Sequence, residues 1–157
     1  MQTKLMRSTF TIFAAAALAV GAISCTKKDA ANQDGTASRD SDATIKIGEV
    51  GSMTGSEATF GISTHNGIML AVKQINAAGG IKGKKVEIVS LDNQGKPEEA
   101  ATAVTKLITQ DKVQAVLGEV ASSRSIAMAP IAQQYKVPMV SPSSTNPKVT
   151  EQGDYIF

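Results

Sequence analysis

The side chains best suited to binding chemistry are hydroxyls, and they gather in two places. Ser122-Ser123 follows the apolar run at residues 113–118, and Ser141-Pro142-Ser143-Ser144-Thr145 follows a second run at 137–140. The segment between them, 123–135, has helical character, so the pair reads as a βαβ unit with parallel strands. Ligands of such sheets sit outside the carboxyl ends of the strands. Both hydroxyl-rich loops fall at that edge and are expected to meet in one crevice. Hydroxyls, backbone N–H groups and a helix N-terminus suit a small anionic group. They do not suit bond breaking.

The remaining candidates for catalysis are sparse. His65 is the only histidine, and no second ligand or nucleophile is spaced to work with it, so it reads as a residue at the edge of a helix's inner stripe. Glu98-Glu99 are adjacent in a helical first turn, where side chains diverge by about 100°, and they compensate the helix dipole. Glycines at 48, 51 and 55 do not form G-x-G-x-x-G, which argues against a dinucleotide. No cofactor, no metal site and no enzymatic activity are expected.

The elements that must position the hydroxyls follow the same alternation. Ile45 to Val50 is strand one, running into Gly51-Ser52-Met53-Thr54-Gly55. A helix over 62–77 carries Ile68, Val72 and Ile75 on its inner stripe. Strand two spans 86–91, and Asp92-Asn93-Gln94-Gly95 is a turn. Pro97 opens the next helix, with Ala100, Val104, Leu107 and Ile108 buried. Strand three is 114–118, with Ser122 or Ser123 capping the helix that follows. Pro130 inside that helix should bend it or free a carbonyl. Strand four is 137–140, and residues 154–157 begin a fifth. The right-handed crossover rule puts strand one in the centre, with strands two and three beside it. The fold class is α/β: a three-layer sandwich around a doubly wound, mainly parallel sheet.

The formal charge of the 157 residues is +2. Residues 1–24 carry Lys4 and Arg7 and no acid, so the remaining 14 basic and 14 acidic side chains cancel. Nucleic-acid binding needs clustered positive charge and is not expected. Lys4 and Arg7 precede an apolar run, 10–23, too short to span a bilayer, which reads as a secretory signal. Ala22-Ile23-Ser24-Cys25 resembles the bacterial lipobox, which implies cleavage before Cys25 and acylation of this single cysteine. Thr26 after it implies the outer membrane of a Gram-negative envelope. Residues 25–43 lack large apolar side chains and read as a flexible tether. The domain occupies 44–157.

Several motifs in combination resemble the Leu/Ile/Val (branched-chain amino acid) binding proteins of ABC importers. They are Ile45-Lys46-Ile47-Gly48, Met53-Thr54-Gly55, Ile75-Asn76-Ala77-Ala78-Gly79-Gly80-Ile81, Asp92, the 118–122 turn, Val137-Pro138 and Ser141 to Thr145. The resemblance implies the type I periplasmic-binding-protein fold, a small amino acid as ligand and an importer permease as partner. It also implies an envelope location with the membrane reached through the lipid on Cys25. By that resemblance Ser122, the carbonyl of Ser143 and Thr145 clamp the ligand's carboxylate and ammonium, and Phe60 lines the pocket. Glu119 departs from the pattern as an acid expected beside the crevice. Proteins of the family are longer, so the resemblance implies an incomplete first lobe, an apolar patch on one sheet face and impaired binding. The same fold also serves as the ligand-binding lobe of extracellular sensors, the alternative reading.

Overall fold

The computed structural model describes residues 44–157. The signal, Cys25 and the tether lie outside the described residues. Four parallel strands form one sheet: β1 (Ile45–Gly51), β2 (Val86–Asp92), β3 (Ala115–Leu117) and β4 (Met139–Val140), in the order β2-β1-β3-β4. The helices α1 (Ala58–Ala77), α2 (Pro97–Thr109) and α3 (Ser122–Tyr135) connect them, and a 3-10 helix spans Pro147–Gln152. Strand one is central, as its hydrophobic alternation and the helical crossovers require. Residues 155–157 extend the ladder beyond β4: Met139 N donates to the Tyr155 carbonyl and Phe157 N to the Met139 carbonyl, each at 2.9 Å.

Alternate residues of β1 face opposite layers. A Cβ on Gly48 would meet Leu107 of α2, whereas one on Gly51 would point toward Gly61 of α1. The α2 and α3 side holds the core: Val50, Val104, Leu107, Val116, Met128, Ala132 and Met139 are all buried. Pro97 stands at the first turn of α2, followed by Glu98 and Glu99, and Ala100, Val104, Leu107 and Ile108 are its buried face, as the apolar spacing predicts. Pro130 lies on the exposed side of α3, where its ring is turned away from the core, and the helix runs unbroken through it although the bond to the Ile126 carbonyl cannot form.

Three expectations are corrected. α1 begins at Ala58, four residues before the expected 62, because Gly61 lets the helix approach β1 closely: a Cβ there would lie 2.1 Å from the Ser52 carbonyl oxygen. Ile75 is exposed rather than on the inner stripe. Asn76 takes that place, its Nδ2 donating to the Val86 carbonyl and its Oδ1 accepting from Val86 N, both at 2.8 Å. Neither Ser122 nor Ser123 caps α3. The N-cap residue is Ala121, without a side-chain bond, and the Ser122 hydroxyl is engaged elsewhere.

Candidate ligand-binding site

The loops at the carboxyl edge are tied together by two carboxylates. Asp92, at the end of β2, accepts from Met53 N and Gln94 N (2.8 Å each) and from Thr54 Oγ1 (2.6 Å), which holds the β1–α1 loop against β2. Desolvation pushes this carboxyl's pKa up, but the hydrogen bonds from Thr54, Gln94 and Met53 outweigh it and leave it below its usual value.

Glu119 is the second tie, and it overturns the expectation of an acid beside the crevice. Gly118, at φ 114, passes so close to the Val50 carbonyl that a Cβ would lie 2.1 Å from it, and Glu119 turns inward to complete burial. Its Oε1 accepts from Ser52 Oγ (2.7 Å), Ser52 N (2.9 Å) and Asn93 Nδ2 (3.2 Å). Its Oε2 accepts from Ala121 N (2.8 Å) and lies 3.0 Å from Arg124 Nε, an ion pair whose N–H is not aligned for a hydrogen bond. Desolvation raises the pKa here too, yet the hydrogen bonds from Ala121 and Ser52, the positive charge of Arg124 and the hydrogen bond from Asn93 bring it below the ordinary carboxylate range. The carboxylate is spent on loops, not on a ligand.

The Glu119 carbonyl organises the hydroxyl-rich ledge. Ser141 Oγ donates to it at 2.7 Å and Ser125 Oγ at 2.8 Å, while Ser144 Oγ stands 2.8 Å from Ser125 Oγ. Ser143 Oγ donates to the Val120 carbonyl at 3.2 Å. The Ser122 hydroxyl accepts from both Thr145 N and Asn146 N at 3.2 Å, so the two hydroxyl-rich loops meet at one point. Among the described residues nothing accepts the Ser122 hydroxyl hydrogen, and Thr145 is exposed.

Of the four residues singled out, Phe60 and Ser143 line one pocket of about 270 Å³ with Glu57, Val120 and Ala121. Phe60 is two-thirds exposed. Ser122 and Thr145 touch each other beside this pocket rather than on its wall, and Thr145 lines a smaller neighbouring depression with Ser144 and Phe157. Glu57 was not singled out by sequence. It lies just before the first turn of α1, and its carboxylate, instead of capping that helix, pairs with Arg124 of α3. No local pattern in the sequence marks it, because its partner Arg124 lies 67 residues away.

A further acid lies under α1. Glu49 of β1 is buried, its Oε2 accepting from Ser90 Oγ (2.5 Å) and lying 2.7 Å from His65 Nδ1. Its Oε1 has no partner among the described residues. His65 thus serves at the edge of the inner stripe, where the sequence placed it. No group of three His, Cys, Asp or Glu side chains among the described residues is placed to hold a metal ion.

Among the described residues the arrangement offers hydrogen-bond donors beside an apolar wall. The family profile described as "Periplasmic binding protein" matches residues 44–157. An amino acid binding protein of Pseudomonas aeruginosa is 39% identical over 111 residues, 71% of this chain and 30% of that protein. The leucine-specific-binding protein of Salmonella typhimurium is 38% identical over 109 residues, 69% of this chain and 29% of its own. The crystal structure of the branched-chain amino acid transporter substrate binding protein LivJ from Streptococcus pneumoniae, in complex with isoleucine, superposes with a TM-score of 0.71. It is 44% identical and covers 73% of this chain and 33% of LivJ. The chain therefore spans about 30% of the length of the curated relatives it matches.

Proposed function

The chain belongs to the periplasmic binding protein family, and on that premise we propose that it serves a solute-binding protein that captures a branched-chain or related small amino acid for an ABC importer. The observation that carries this reading is the meeting of the two hydroxyl-rich loops at Ser122 and Thr145, beside a pocket walled by Phe60, Val120 and Ala121. On this reading the ligand carboxylate takes the Ser122 hydroxyl hydrogen, the Thr145 hydroxyl and the first N–H groups of α3. The carbonyl of Ser143 accepts from the ammonium, and the ligand's side chain lies against Phe60. The names of the similar proteins support a binding and transport role rather than catalysis.

The described residues offer these groups on an open ledge. Hydrogen bonds exchanged against water contribute about 0.5–1.5 kcal/mol each, and immobilising a ligand costs about 4 kcal/mol or more. A dissociation constant in the millimolar range is therefore expected for this chain. Titration of the isotopically labelled chain with leucine, followed by amide NMR shifts, checks the reading. Saturable shifts at Phe60, Val120, Ser122, Ser143 and Thr145 are expected. Shifts confined to other elements, or none at tens of millimolar ligand, would overturn it.

The signal-like N-terminus and the family support an envelope location. A lipid on Cys25, with the outer membrane as its site, is part of the same proposal. Mass spectrometry of the mature protein is expected to show an acylated N-terminal Cys25; a free thiol there, or cleavage elsewhere, would refute the anchor.

A further inference from the structure

Among the described residues, Glu57 is the one charged side chain on the wall of the pocket beside the proposed clamp, whose other walls are Phe60, Val120, Ala121 and Ser143. Its Oε2 is held by Arg124 Nη2. That guanidinium is not Glu57's alone, since Nε lies 3.0 Å from Glu119 Oε2 and Nη1 donates to the Gly95 carbonyl at 3.2 Å. Two carboxylates thus share one cation, and one negative charge remains over. It sits on the solvent side: the Arg124 side chain is 5% exposed and that of Glu119 fully buried, whereas that of Glu57 is 45% exposed. Glu57 Oε1 receives no hydrogen bond from the described residues.

A mostly apolar pocket with an uncompensated carboxylate on its wall discriminates between ligand tails by what they bring to that carboxylate. An apolar tail laid over Glu57 strips water from the carboxylate and returns nothing. A tail that ends in a positively charged nitrogen replaces that water with a charge-assisted hydrogen bond. We infer that Glu57 is a specificity-determining residue, and that the pocket prefers an amino acid whose alkyl tail ends in an amine over one of equal length that ends in a methyl group. The inference rests on the head-group placement proposed above, which sets the carboxylate at Ser122 and sends the tail past Val120 and Ala121. Arg124 does not cancel the effect, because Glu119 shares it.

Lysine and norleucine share a head group and a four-carbon tail and differ at the terminal amine. NMR titration of the labelled chain with each is expected to show lysine binding roughly threefold to tenfold more tightly, as suits a half-exposed charge pair. Shifts from both should centre on Ser122 and Thr145, with those from lysine extending to Glu57. Glu57→Gln is expected to bring the ratio close to unity, and Glu57→Lys to reverse it. Norleucine equal to or tighter than lysine, with a ratio that neither substitution moves, would overturn the inference while leaving the proposed function standing. Silence at Ser122 and Thr145 with both ligands would overturn the proposed function and this inference together.

Discussion

On the α2 and α3 side of the sheet, Leu107, Met128, Val116 and Met139 are wholly buried against one another. On the α1 side the contacts are partly polar: Glu49, His65 and Ser90 meet beneath the helix, and Ile62, Met69 and Leu70 stand in solvent. The two buried acids make the contrast sharper. Glu119 has both oxygens filled, by Ser52, Asn93, Ala121 and Arg124. Glu49 is as deeply buried but has one oxygen without a partner among the described residues. Register explains part of the difference. Met139 pairs with Val116 and Ile156 with Met139, so these point to the core side, and Val140 and Phe157 point to the other, where both are exposed. Buried apolar contact is concentrated on the α2 and α3 side, and the buried hydrogen bonds of Glu119 are concentrated at the loop edge.

Glu119 should therefore be the most costly side chain to lose. Truncation to Ala leaves Arg124 buried without one of its two carboxylates and strips three loops of their shared acceptor. A loss of about 3–5 kcal/mol is expected in urea unfolding, the range for breaking a buried pair. A loss under about 1 kcal/mol would break the contrast. The same group gives a pH signature. Its folded pKa is depressed below the ordinary 4.5, and that of Asp92 below 3.8. In acid the unfolded chain binds more protons than the folded one, so stability is full above about pH 4.5 and falls as pH drops through the folded values. Glu119→Gln should flatten that acid limb, leaving the Asp92 share.

The strand order and the buried face of α2 were legible because they rest on local periodicity: alternation in β1, i and i+4 spacing in α2, and one crossover rule. The meeting of Ser122 with Thr145 was legible for the same reason, since both begin where a parallel strand ends. The direction of Glu119 was not. A loop acid faces in or out according to partners far away in the chain, here Ser52 at 67 residues' separation and Asn93 at 26. Ile75 was placed inside because a stripe of apolar residues admits it, whereas the inner place belongs to Asn76, a polar side chain that β2 satisfies through Val86. Ser122 could equally cap a helix or brace the ledge, and nothing in its neighbours distinguishes the two. Glu57 was invisible because its role depends on Arg124 being shared.

A pair of leucines tests the two faces at smaller scale. Leu107 is fully buried, and its side chain fills the space over Gly48 that a Cβ there would invade at 2.8 Å. Removing its outer carbons opens a cavity bounded by strand backbone, which cannot relax inward without bending β1. Leu107→Ala should therefore cost about 2–5 kcal/mol, toward the upper end if the site does not collapse. Leu70 has the same side chain on a helix of the same sheet, but 58% of its surface meets solvent. Little apolar area returns to water when it is truncated, and alanine is the better helix former. Leu70→Ala should fall within about 0.5 kcal/mol of the parent. Both values come from one measurement, the urea midpoint at constant slope. If Leu70→Ala destabilised as much as Leu107→Ala, the outer face of α1 would be buried in solution against another surface. A concentration-dependent midpoint in the parent would then identify that surface as a second copy of the chain.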